Sequence, residues 1–166
     1  MHYLFASIAL SLAHGVTAIV STAEAAESET PPVAVHVNRA EFLSRLPTRA
    51  YVYVDEKTRS SGGLKSIASA DIRSLPDGAT PARAVSKQSP FYPSEMRRTA
   101  VEGEARFLLL IVGGKIEAMY CYERTNQLFE DAAAEALSAW VYTSGRVNKA
   151  EVPMIVEQTI HFTLAK

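Results

Sequence analysis

The side chains through which this chain could do chemistry are few and scattered. Its four histidines are His2, His14, His36 and His161, and no two have the spacing of a helical metal site. His161 belongs to a terminal β-segment, where it reads as an exposed strand residue or as a pH-sensitive contact. Cys121 lies between Tyr120 and Tyr122 with no basic neighbour in sequence to stabilise a thiolate, so an inert thiol is expected. A single cysteine also excludes an intramolecular disulfide and a Cys-rich metal cluster. Glu102 and Glu104 flank Gly103 and read as solvated surface rather than as an acid–base pair. Gly113-Gly114 lacks the spacing of a phosphate loop. Arg97-Arg98 would meet an acidic partner or simply face solvent. No catalytic residue, metal site or cofactor is therefore expected, and the chain does not read as an enzyme.

If the residues do no covalent chemistry, the elements must supply a surface. The 166 residues are 48% hydrophobic and 21% charged, which fits a globular domain rather than a disordered or polytopic chain. Seventeen Lys and Arg against 18 Asp and Glu give a formal charge of −1, so the basic field that drives nucleic-acid binding is missing. Residues 1–25 read as a signal peptide: Tyr3–Val20 is mostly apolar and Ala23-Glu24-Ala25 has the form of a cleavage site. No Lys or Arg precedes Arg39, however, and an uncleaved anchor or a misassigned start are the competing readings. Either the signal or the anchor would deliver the remainder outside the cytoplasm.

Residues 26–88 read as a weakly structured lead-in. It should hold a short helix that begins after Asn38, with Glu41 completing a capping box, and ends before Pro47. A brief strand, Tyr51–Val54, follows. Residues 89–166 carry the dense signal. Pro93 opens a short helix over Ser94–Ala100. Glu104–Val112 is a strand with Ala105, Phe107, Leu109 and Ile111 on one face, and with Leu108 and Leu110 making the other face apolar too. Gly113-Gly114 turns the chain into a return strand, Lys115–Glu123, which alternates with Ile116, Ala118, Tyr120 and Tyr122 on one side. A helix over Gln127–Val141, capped by Asn126, presents Phe129, Ala133, Ala136, Leu137 and Trp140 as one stripe. Ser144–Ala150 reads as a polar loop. The last strand, Val152–Leu164, points Met154, Val156, Ile160, Phe162 and Leu164 one way, and only Gln158 breaks that face.

The fold class expected is α+β: a three-stranded antiparallel sheet covered by two helices on one face, in the order α-β-β-α-β. At the edge of so small a sheet, the last strand would leave a row of backbone groups unpaired.

The segment Ser89–Leu164 resembles the C-terminal domain of TonB, the periplasmic end of an energy transducer. The matching residues are Pro90-x-Tyr92-Pro93, Arg97-Arg98, Val101-Glu102-Gly103, Gly114, Phe129-x-x-Ala132-Ala133, Ala136, Trp140-Val141-Tyr142, Val152 and Ile160-x-Phe162-x-Leu164. The resemblance implies a periplasmic binding module. The TonB box of an outer-membrane receptor would add as a strand beside the last strand of the sheet, in energy-coupled transport. Carried over by position, the peptide would pair with Met154, Ile155, Val156, Glu157, Gln158, Thr159, Ile160, His161, Phe162, Thr163 and Leu164, with Ser89 and Pro90 beside it. Ser89 stands where the family often has Gln, and the family's long Pro-rich linker has no counterpart. An anchored chain would also engage an inner-membrane proton-channel complex. A cleaved one would be a non-energised adaptor, and a separate, structural reading has the same edge pair with itself or with a cell-envelope partner, giving a homodimer or scaffold protein.

Overall fold

The computed structural model describes residues 35–53, 61–68 and 70–164. The signal or anchor expectation for residues 1–25 lies outside them. No helix among the described residues is long and apolar enough to cross a membrane.

Among the described residues, ten strands and four helices follow one another, beginning β1 Val35–His36, α1 Arg39–Arg45, β2 Ala50–Val52, α2 Gly62–Ser66, β3 Ile72–Ser74 and β4 Ala84–Ser86. Then come α3 Ser94–Arg98, β5 Gly103–Val112, β6 Lys115–Arg124, α4 Gln127–Ser138, β7 Val141–Tyr142, β8 Gly145–Val147, β9 Ala150–Val152 and β10 Met154–Phe162. The central sheet has six strands in the order β1-β6-β5-β10-β2-β3. β5 is antiparallel to both β6 and β10. The lead-in strands β1 and β2 join parallel, on β6 and β10 respectively, and β3 joins β2 in the same sense.

The mixed α+β class and the antiparallel trio β6-β5-β10 agree with the pattern of the sequence. The three-stranded limit does not. Among the described residues of the expected lead-in, 35–53, 61–68 and 70–74 extend the sheet on both sides and cover its second face. The physical cause is on β5: Phe107, Leu109 and Ile111 face one core, while Leu108 and Leu110 face another. A sheet apolar on both faces must be covered on both. α3 and α4 cover the first with Met96, Phe129, Ala133 and Leu137. α1 supplies Phe42, and the α2 region supplies Leu64 and Ile67, to the second, where they meet Leu108, Leu110, Ala118 and Ile155.

Local signals explain the start of each cover helix. Asn38 Oδ1 accepts the Glu41 amide at 3.0 Å and Ser61 Oγ accepts that of Leu64 at 3.3 Å. Arg39 Nε donates to Ser66 O at 2.6 Å and ties the two helices together. At Gly63 a Cβ would stand 2.8 Å from the Tyr122 ring and 3.0 Å from Leu108, so only glycine lets α2 lie this close to the sheet.

Several boundaries differ from the sequence reading. α4 stops at Ser138, because Val141 and Tyr142 leave to pair with β4. The expected loop 144–150 contains the hairpin β8–β9. The last strand begins at Met154, since Val152 belongs to that hairpin. Alternation in β6 is interrupted: Leu110 pairs with Ala118 but Ile111 with Ile116, so Glu117 is a bulge. Ile116 therefore lies in the first core together with Met119 and Cys121, while Ala118, Tyr120 and Tyr122 serve the second. Gly113 and Gly114, at φ +56° and +80°, make the expected two-residue turn.

Candidate functional site

β10 is the strand to which the sequence points, and its two sides differ. Its ladder with β5 is unbroken from Met154↔Ile111 to Phe162↔Gly103. On the other side β2 pairs only with Met154 and Ile155. The expected edge is thus corrected in part: β10 is an interior strand at its start. Among the described residues, no backbone partner stands on that side of Val156–Phe162.

The direction of each backbone group follows from the register. Tyr51 N–H donates to Pro153 O at 3.1 Å. A parallel register setting Tyr51 against Met154 then turns the Ile155 amide toward β2 as well. With no bulge farther along the β5–β10 ladder, alternation turns the N–H and C=O of Glu157, Thr159 and His161 to the same outer side. The even-numbered residues bond to β5. One outward carbonyl is already occupied, since Gln158 Nε2 donates to Thr159 O at 2.9 Å.

The side chains divide by face. Met154, Ile160 and Phe162 are buried in the first core and Val156 packs against it, while Ile155 is buried in the second. Phe162 stacks on Phe129 with centroids 4.6 Å apart, and Tyr92 stands edge-on to both rings. Tyr122 Oη donates to Glu157 Oε1 at 2.5 Å, and burial with the nearby carboxylate holds the phenol well above its usual range. The second oxygen of Glu157 is buried without a hydrogen-bond partner among the described residues. His161 is exposed, with Nδ1 3.1 Å from Glu104 Oε2. Thr163 is exposed, and the Leu164 amide donates to Glu102 at 2.7 Å.

Ser89 and Pro90 line a small hollow together with Ala132, Glu135 and Ala136 of α4. The residue of that segment that touches β10 is Tyr92. Arg97 lies over the Tyr92 ring at 5.6 Å, and Arg98 is exposed. Three features escaped the sequence reading. Tyr51 and Tyr53 stand beside the start of β10, although the β-branched and aromatic run Tyr51–Val54, whose last residue lies outside the described residues, had marked a strand there. The Tyr122–Glu157 bond joins residues 35 apart in sequence. Glu130, almost fully buried on α4, lies 2.9 Å from both His36 and Arg124. Cys121 is buried, and desolvation followed by the Glu130 charge pushes its thiol up to about 11. No group of three His, Cys, Asp or Glu among the described residues could hold a metal.

No family model and no curated protein matches the chain. Among solved structures it is similar to the solution NMR structure of Pseudomonas aeruginosa TonB CTD, at 20% identity and a TM-score of 0.44. The superposition covers 51% of this chain and 88% of that one.

Proposed function

We propose that this chain is a TonB-like, periplasmic peptide-binding module that recruits the TonB box of an outer-membrane receptor by β-strand addition to β10. The observation that carries the reading is the outward backbone of Glu157, Thr159 and His161, whose one engaged carbonyl is held by a neighbouring side chain rather than by a strand. Main-chain pairing there supplies affinity and needs no covalent chemistry. The family motifs between Ser89 and Leu164 supply the class of partner.

The test is a titration of the 15N-labelled full chain with synthetic TonB-box peptides. Slower amide exchange at Glu157, Thr159 and His161 on peptide addition is the expected result. Unchanged exchange at all three, with peptide in large excess, overturns receptor recruitment by this strand.

A further inference from the structure

A second group of polar side chains gathers at the opposite margin of the sheet, where β1 leaves β6 and the chain enters α1. His36, Asn38 and Arg39 from that segment, Arg124 from the end of β6 and Glu130 from α4 line one open cleft of about 360 Å³. That volume falls at the lower end of the range for small-molecule sites.

The cleft is rich in donors. Asn38 Oδ1 is taken up in capping α1, where it accepts the Glu41 amide, so the Nδ2 donors of Asn38 have no acceptor among the described residues. Arg39 is anchored by Nε, which donates to Ser66 O, and among the described residues no carboxylate pairs with it. A guanidinium held by Nε keeps its two terminal nitrogens for another acceptor. Arg124 is held by charge rather than by an aligned bond. Its Nε is 2.9 Å from Glu130 Oε2, yet that oxygen has no hydrogen-bond partner among the described residues.

Glu130 is the one carboxylate lining the cleft, and its side chain is only 8% exposed. It lies under His36 and Arg124 as their counter-charge, with Oε1 2.9 Å from His36 Nε2. Two guanidinium groups against a single buried carboxylate leave the open part of the cleft positive. The donors come from Asn38, Arg39 and Arg124, on the two sides of that space. A carboxylate offers two oxygens in one plane, whereas a phosphoryl group offers three strong acceptors and a larger charge.

We infer that the β1–α1 junction is a binding site for a phosphoryl oxyanion, free or as the head of a larger ester, held by Asn38, Arg39 and Arg124. The inference goes beyond peptide addition at β10 and does not depend on it.

The experiment titrates the 15N-labelled full chain with inorganic phosphate at an ionic strength held constant with chloride. Saturable shifts of the Asn38, Arg39 and Arg124 signals are expected. Asn38→Asp keeps the oxygen that caps α1 but exchanges the amide donor for a negative charge. It should weaken phosphate binding about ten-fold or more without disturbing the rest of the spectrum. Arg39→Gln should do the same, whereas Arg73→Gln, at an exposed arginine on β3, should not. Two further probes separate the sources of the phosphoryl group. Tighter binding of glycerol 3-phosphate than of phosphate indicates a soluble ester. Sedimentation with phosphatidylcholine vesicles only when they contain phosphatidic acid, lost in Asn38→Asp, indicates a lipid headgroup. Shifts that chloride alone reproduces, saturable binding that survives both Asn38→Asp and Arg39→Gln, or silence toward all three probes overturns the site.

Discussion

Gln158 is the residue that breaks the apolar face of the last strand, and its hydrogen bond explains why a polar side chain stands there. It covers the Thr159 carbonyl, which would otherwise face solvent on the outer side of β10. A guest strand must displace that bond, which is worth about 0.5–1.5 kcal/mol net. Gln158→Ala should therefore tighten TonB-box binding by a few-fold in calorimetry with little change in melting temperature. Weaker binding would mean that the amide contacts the peptide instead. Cys121 makes a second prediction. Its thiol is raised from 9.0 to about 11 by burial first and by Glu130 second. The folded state thus keeps a proton that the unfolded chain loses, so stability is undiminished below pH 9 and falls between pH 9 and about 11. Denaturant titration of the wild type against Cys121→Ala should show the larger alkaline loss in the wild type. The inert thiol was legible because no base stands beside it in sequence. The Glu130 charge that adds to its shift was not, since only folding brings α4 over β6.

Among the elements, β10 and α2 give the sharpest tests. Thr159→Pro removes an outward N–H and leaves the β5 ladder its donors, so the chain should fold and lose peptide binding. Ile160→Pro removes a donor to β5 and should destabilise the fold by about 3 kcal/mol or more, seen as a lower urea midpoint. A larger loss of stability in Thr159→Pro than in Ile160→Pro would show that the outward assignment is inverted. Gly63→Ala should also destabilise, by about 1–3 kcal/mol, because its Cβ would meet the Tyr122 ring and Leu108 where little room exists. Legibility at this scale followed periodicity. The β5–β6 hairpin, the two Asn caps and most of α4 were written in spacing and turn residues. The bulge at Glu117 was not, because a one-residue slip in pairing leaves no mark in composition. The last turn expected of α4 was lost to the β4–β7 pair, a tertiary contact between segments more than 50 residues apart.

At the scale of the molecule, the second core changes what counts as the domain. Leu108 and Leu110 had already declared a two-faced apolar strand, which a cover on one face cannot satisfy. The Ser- and Gly-rich composition after Asp55 hid the remedy, because the covering pieces are short: Phe42 and Ile67 are fully buried on elements of a few residues each. Phe42→Ala should cost about 3–5 kcal/mol, measurable by denaturant unfolding, as for any large core truncation. Removing residues 1–88 should leave Leu108, Leu110, Ala118 and Ile155 bare on one face, and the remaining segment should associate or bind a hydrophobic dye.

The margins of the sheet carry a different consequence. β1 and β3, its outermost strands, are two and three residues long. Margins so short give a passing polypeptide too few rungs to zip against, which discourages runaway stacking of one copy upon the next. On the proposed reading of β10, the receptive stretch is thus confined to the interior of the sheet, and its rims do not present the same invitation.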